Sequence, residues 1–313
     1  MNTKKNTINK NVNNINNIVL DMSDKKNIDN STNEDLELYV LNDNNKLITK
    51  KFIESLLQKY DIKHKVKNLE LFQTAMTHVS YLKRDLKNDR LVKLIKDKDL
   101  KPIEARNVNK AMPLKNISYE RLEFLGDSVI HLVLADYLYD RFSEEQEGFM
   151  TRLRTKIESG KTLADFSKKM GFCEYIIIAR NVEQIGGREK NIHILEDVFE
   201  AFIGTLYLEA NFETCKKLMI KLIEENVDMS ILIHTETNYK DTLLQCYHKW
   251  KWPDPEYGSS GFTEQNNKKY FHMYVKGFNF NNNNNEWTVI GEGSGVSKKQ
   301  GEQEAAKNAL IKL

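Results

Sequence analysis

Glu120, Glu123 and Asp127 stand at i, i+3 and i+7 in Tyr-Glu-Arg-Leu-Glu-Phe-Leu-Gly-Asp-Ser-Val-Ile, residues 119–130. At 3.6 residues per turn the three carboxylates share one helix face, while Leu122, Leu125, Val129 and Val133 fill the others. Acids stacked beside an apolar face repel one another and resist burial unless a cation joins them, so the spacing asks for a divalent metal. A second pair, Asp197 and Glu200, is again i, i+3, and Val198, Phe202 and Leu206 give that helix an apolar side. Two such helices packed together could assemble one all-oxygen site, which suits Mg²⁺ better than a Zn²⁺ centre built from His and Cys. Taken singly, an acidic pair reads more readily as a solvated face or as an ion network with Arg121, Arg152 or Arg154, because charged helix faces are common.

The elements that must position these residues are mostly helical. The 313 residues suit two domains, and 40% hydrophobic content supports at least one sizeable core. Residues 1 to about 34 hold eleven Asn among many Lys, too polar to repay ordering, and the pattern predicts a disordered tail over 1–46. Order is expected from Leu47, with Phe52, Ile53, Leu56, Leu57 and Tyr60 marking an amphipathic helix. Residues 83–112 are charged and lack a clear apolar stripe over most of their length, which predicts an insertion or long loop. Helical patterning then runs from Tyr119 to Asn226, broken at Gly148, near Gly171 and at Ile185-Gly186-Gly187.

Beyond a linker at 227–236 the character changes. Tyr239 to Trp250 reads as a helix, Lys269 to Phe278 and Trp287 to Glu292 alternate as strands, and Lys298 to Leu313 is an Ala-rich helix. Residues 237–313 therefore form a small α+β domain, with Asn281 to Asn285 as a hairpin tip. Net charge is only +2, so any nucleic-acid surface must come from local arrangement. Cys173, Cys215 and Cys246 show no CxxC spacing and are odd in number, and no 18-residue apolar run interrupts the chain. A soluble protein with reduced thiols in an intracellular compartment is expected.

Tyr119-Glu-Arg-Leu-Glu-Phe-Leu-Gly-Asp-Ser closely resembles the signature of the ribonuclease III family, and Asp197-Val-Phe-Glu-Ala-Phe-Ile-Gly resembles its second acidic motif. Thr77-His78-Val-Ser-Tyr81 and Gly186-Gly-Arg188 are similar to further landmarks of that family. Residues 291–307 resemble the last strand, loop and helix of a double-stranded RNA-binding domain. The resemblance covers about residues 47–313. It implies a mainly α endonuclease domain over 47–226, followed by an α-β-β-β-α RNA-binding domain. It also implies a homodimer that hydrolyses double-stranded RNA with Mg²⁺, for which Mn²⁺ could substitute, to 5′-phosphate and 3′-hydroxyl ends.

By the same resemblance Glu123, Asp197 and Glu200 would be metal ligands, Asp127 would orient water at the metal, and Glu120 would support the cluster. Glu147 resembles an acid that completes the site across the dimer, and Phe124 would project into the partner subunit. Glu147 also reads as an ordinary acid in a helix's first turn, and Phe124 as intrachain core. Lys298 and Lys299 follow Ser297 where a helix start favours phosphate, and Thr242 and Gln245 match positions that touch 2′-hydroxyls. The family's Gly-Pro-x-His in the first strand loop is replaced here by Gly261-Phe-Thr-Glu-Gln-Asn-Asn, a departure that leaves the second minor-groove contact without its usual residues, and nothing in the sequence singles out Asn266 or Asn267 as a replacement. Gly301 stands where Ala is usual, which would weaken the last helix. A rival reading is a non-catalytic protein that sequesters duplex RNA, and a third is a ribosome-associated structural homologue. The intact set of acids argues against both.

Overall fold

The computed structural model describes residues 31–87, 90–234, 238–265, 268–279 and 287–313. The chain divides into two compact units between Asp228 and Met229. Among the described residues no helix is long and apolar enough to cross a membrane, and all three cysteines are free.

The first unit is helical: α1 (Asn33–Glu37), α2 (Lys50–Lys59), α3 (Leu69–Ala75), α4 (Leu91–Lys98), α5 (Glu120–Arg141), α6 (Glu147–Ile157), α7 (Gly160–Lys169), α8 (Arg180–Gln184), α9 (Ile192–Glu209) and α10 (Phe212–Asn226). Its centre is the packing of α5 on α9. Helix α5 opens with Glu120 and Glu123 in its first turn and closes with Arg141 in its last, a charge order that complements the helix dipole. Helix α9 is capped by Asn191, whose side chain accepts from the amides of His193 and Ile194, and every residue from Val198 to Leu206 is buried. Phe199 stacks on Phe166, and Phe202 lies between Phe72 and Phe172, with ring centroids 4.7–5.6 Å apart. Burying each such ring contributes roughly 1.5–3 kcal/mol.

Two glycines set how closely the helices approach. A Cβ on Gly126 would stand 1.7 Å from the Glu200 carbonyl oxygen, and one on Gly204 would stand 2.2 Å from that of Leu122. Backbone therefore lies on backbone at this crossing, and Glu123 and Asp127 are carried against Asp197 and Glu200.

The expected disordered segment and the expected loop are corrected together. Residues 1–30 lie outside the described residues, but 31–46 are ordered. Thr32 and Asp35 form a reciprocal cap on α1. Leu36, Leu38, Tyr39 and Val40 are buried with Leu86, Leu91, Ile95, Leu100, Ile103 and Leu114 in one cluster. Neither segment carries enough apolar surface to fold alone; each supplies the other's missing face from more than 40 residues away. The seam is also hydrogen-bonded: Ile103 N–H donates to the Leu38 carbonyl, and the Arg180 and Asn181 amides donate to Val40 and Tyr39.

The second unit comprises α11 (Met229–His234), α12 (Tyr239–Trp250), β1 (Glu256–Gln265), β2 (Lys268–Gly277), β3 (Thr288–Gly295) and α13 (Lys298–Lys312). The expected linker at 227–236 thus contains a short helix. The sheet is antiparallel in the order β1-β2-β3. Leu243 and Tyr247 of α12 and Ala305, Ala306 and Ala309 of α13 pack on Val275 and Ile290. Gly261 belongs to β1 rather than to a loop, at a register shift where φ is +127°. The strand continues to Gln265, while Asn266, Asn267 and the Asn281–Asn285 tip lie outside the described residues. Gly301 is no simple weakness in α13: a Cβ there would stand 2.6 Å from Met273 Cγ, so Met273 fills the space an alanine would take.

Candidate active site

Glu123, Asp197 and Glu200 each place a carboxylate oxygen within 4.8 Å of the others. The first comes from the opening turn of α5 and the other two from α9, as the backbone crossing at Gly126 and Gly204 requires. Glu200 is buried, and Glu123 and Asp197 are half-buried. Burial raises the Glu200 carboxyl to about 8, aided by the charges of Asp127, Glu196, Glu123 and Asp197. Burial likewise raises Glu123 and Asp197.

Among the described residues no lysine or arginine forms an ion pair with these three acids. What burial has gathered is therefore a set of oxygen donors in need of positive charge. A hard divalent cation fits that donor set, and the absence of His or Cys among the three makes it a poor Zn²⁺ site.

Neighbouring groups fix the ligands. The Tyr119 hydroxyl donates to Asp197 Oδ2 at 2.7 Å, and the Ser118 hydroxyl donates to Glu120 Oε2 at 3.0 Å. Both donors, Tyr119 and Ser118, are buried; the bond to half-buried Asp197 is partly shielded from water, whereas the one to Glu120 ends on an exposed carboxylate. Asp127 and Glu120 are exposed at the rim. Asp127 is the strongest charged influence on Glu200, and Glu120 raises Glu123.

Glu147 lies elsewhere. It is exposed in the first turn of α6, accepts from the Thr151 hydroxyl at 2.8 Å, and lines a separate cleft of about 200 Å³ beside Tyr139 and Arg154. Phe124 is 77% exposed, which excludes the intrachain-core reading. With Leu132 and Tyr139 it makes an exposed apolar stripe along α5.

Two site residues escaped the sequence reading. Glu196 sits half-buried one helical turn before Glu200, 3.4 Å from His193 and over Gly160, where a Cβ would meet its carboxylate at 2.5 Å. The i, i+4 spacing from Glu196 to Glu200 carried that signal. Tyr119 carried none, because a tyrosine ahead of a helix reads as core.

The two landmark motifs are structural. His78 Nδ1 accepts from the Ser80 amide at 3.1 Å and bonds the Ser80 hydroxyl at 2.7 Å, and burial lowers the imidazole to about 4. Arg188 donates to Glu183, to the Ile176 carbonyl and to Asn45, tying the loop before α9 to the N-terminal segment.

In the second unit Ser297 caps α13 by accepting from the Gln300 amide at 3.2 Å, and Lys298 and Lys299 are exposed beside it. The first turn of α12 is stapled to the second turn of α13: the Lys240 amide donates to Gln303 at 3.1 Å, Gln303 donates to Asn238 at 2.9 Å, and Lys240 pairs with Glu302. Thr242 donates to the Asn238 carbonyl and Gln245 to Asp241, both within α12.

Residues 68–227 match the Ribonuclease-III-like family. The chain is 34% identical to a probable ribonuclease 3 of Acanthamoeba polyphaga mimivirus over 86% of its own length and 46% of the viral protein's, so it spans less than half of that relative. It is 32% identical to ribonuclease 3 of Listeria innocua over 79% of this chain and 92% of the bacterial one. A solved nuclease domain of ribonuclease III from Campylobacter jejuni is 31% identical, with 56% of this chain and 98% of that one covered and a TM-score of 0.42. The matched segment begins before α3 and ends with α10, so it contains both carboxylate-bearing helices and the glycines that join them: the chain belongs to the ribonuclease III family.

Proposed function

We propose that this protein is an endoribonuclease that hydrolyses double-stranded RNA to 5′-phosphate and 3′-hydroxyl ends with Mg²⁺, for which Mn²⁺ substitutes. The observation that carries this reading is the convergence of Glu123, Asp197 and Glu200 within 4.8 Å on the unit that bears the family match. These three would hold the ion. When bound, it supplies polarisation of the phosphate and a lowered pKa for the attacking water.

The chain's own residues divide the remaining work. Tyr119 holds Asp197 in one orientation, and Ser118 does the same for Glu120. Asp127, exposed beside the three ligands, can accept a hydrogen bond from water approaching a scissile phosphate. The second unit would hold the duplex through Lys298, Lys299 and the α13 start capped by Ser297, with Thr242 and Gln245 turned to a minor groove. Such binding reads shape over roughly 16 base pairs. The Phe124, Leu132 and Tyr139 stripe would be covered in a homodimer, with Glu147 serving the composite site. An odd set of free thiols suits a reducing intracellular compartment.

The test is cleavage of a labelled perfect duplex by the wild type and Glu200→Gln, with Mg²⁺ or EDTA and a single-strand control. Mg²⁺-dependent duplex cutting that the variant lacks is expected. Binding without cutting, with Mn²⁺ also tried, would establish the sequestering alternative.

A further inference from the structure

Between Lys46 and Lys67 the sequence holds seven lysines against Glu54 and Asp61, a local net charge of +5 in a chain whose total is +2. The fold gathers part of this charge around an open groove of about 690 Å³. Lys50, Lys51, Ser55 and Gln58 of α2 and Lys63 and Lys65 of the segment that follows it line this groove.

Glu54, the one acid lining the groove, is already neutralised. It takes Lys65 at 3.2 Å, the Val66 amide at 3.1 Å and Lys50 at 3.9 Å. Asp61 is turned to Lys221 of α10. Lys51 and Lys63 are exposed and, among the described residues, form no ion pair. Lys65 is 87% exposed even though it is paired.

The groove is held fixed relative to the carboxylate cluster. Glu209, the last residue of α9, accepts from the Lys67 and Asn68 amides at 2.9 and 2.7 Å and contacts His64 at 3.3 Å. It stands nine residues beyond Glu200 on the same buried helix, about 14 Å of helical rise.

We infer that this groove is a phosphate-backbone track by which the first unit grips duplex RNA, an interaction surface separate from the α12–β–α13 unit. The inference rests on the duplex-RNA reading above. A row of lysines around a concavity binds by charge and counterion release and is indifferent to sequence, which matches a polyanionic helix of regular phosphates.

The test uses the full-length chain in EDTA with a labelled 30-base-pair RNA duplex. Affinity is measured from low to moderate salt for the wild type, for Lys51→Gln/Lys63→Gln/Lys65→Gln, and for a charge-matched control, Lys93→Gln/Lys98→Gln/Lys110→Gln. The groove variant is expected to bind roughly tenfold or more weakly at moderate salt. Its slope of log affinity against log salt should be shallower by about two to three, as loss of that many phosphate contacts requires, with the control unchanged. Lysine acetylation footprinting of the wild type supplies a readout free of mutation: duplex should protect Lys51 and Lys63. Equal affinity and slope in wild type and groove variant, without protection, would overturn the inference and leave the groove for an acidic protein. An equal loss in the control would overturn it as a net-charge effect. A wild type that binds no duplex would instead overturn the function proposed above.

Discussion

Glu200 has to be buried to sit between two helices and ionised to hold a cation, and those demands conflict. In the metal-free protein burial raises its carboxyl to about 8, against an ordinary value near 4.5. Below 4.5 the group is protonated in both folded and unfolded chains and costs nothing. As pH rises to 8 the unfolded chain loses a proton that the folded chain keeps, so folding becomes less favourable, and the cost is complete above 8. At ~1.4 kcal/mol per pKa unit a shift of this size corresponds to a penalty of about 5 kcal/mol. Glu200→Gln should therefore be more stable than wild type at pH 8 in EDTA and about equal at pH 4.5. Mg²⁺ should raise the wild-type melting temperature at pH 8 and move the variant little. Melting curves at both pH values check this, and a variant less stable at pH 8 would contradict the burial argument.

Tyr119 acts one bond further out, and its hydroxyl serves a ligand rather than substrate. Tyr119→Phe should keep the ring's packing and lose only the bond to Asp197, which is worth about 1.5 kcal/mol when one partner is charged. The Mg²⁺ concentration for half-maximal cleavage should rise about tenfold, with turnover at saturating Mg²⁺ near wild type. A fall in saturated turnover with unchanged metal dependence would assign Tyr119 another role. The sequence made the acids legible because i, i+3 and i+7 spacing is a property of the chain. Tyr119 was hidden because its role depends on Asp197, 78 residues away.

At the scale of elements, the helices bearing the acids were readable from periodicity, whereas the α1 and α4 region was not. Each half of that region looked too polar or too patternless to fold, and the test of amphipathicity fails when the matching face is contributed by a remote segment. The Leu36 to Val40 strip and the Leu86 to Leu114 segment are one cooperative piece held by a shared core. An acid in that core should therefore free both halves. Leu36→Asp and Ile95→Asp are each expected to cost roughly 3 kcal/mol or more and to produce the same proteolytic pattern, with new cuts in both 31–46 and 83–112. Because Arg180 and Asn181 bond to Val40 and Tyr39, the loop leading toward α9 should also gain hydrogen exchange. Cuts confined to the mutated half in limited proteolysis would mean that the two segments fold independently.

Across the whole molecule, the division between Asp228 and Met229 separates the carboxylate cluster from the stapled helices α12 and α13. Each unit has its own closed core, the first around Phe199 and Phe202 and the second around Tyr247, Val275 and the alanines of α13. That independence was legible from the change in patterning after residue 226. The division falls within the expected linker at 227–236, but α11 was not legible there, because it is too short and too charged around its ends to announce a helix. A chain ending at residue 228 should fold, keep the melting transition of the first unit, and retain Mg²⁺-dependent cutting of duplex RNA at low salt. Without the second unit its affinity should fall, and cutting should fade at moderate salt where the full chain still works, since fewer phosphates are neutralised. Calorimetry of both chains and cleavage rates across a salt series decide the matter. An inactive but folded truncation at low salt would mean that the second unit positions substrate for the carboxylates as well as adding affinity.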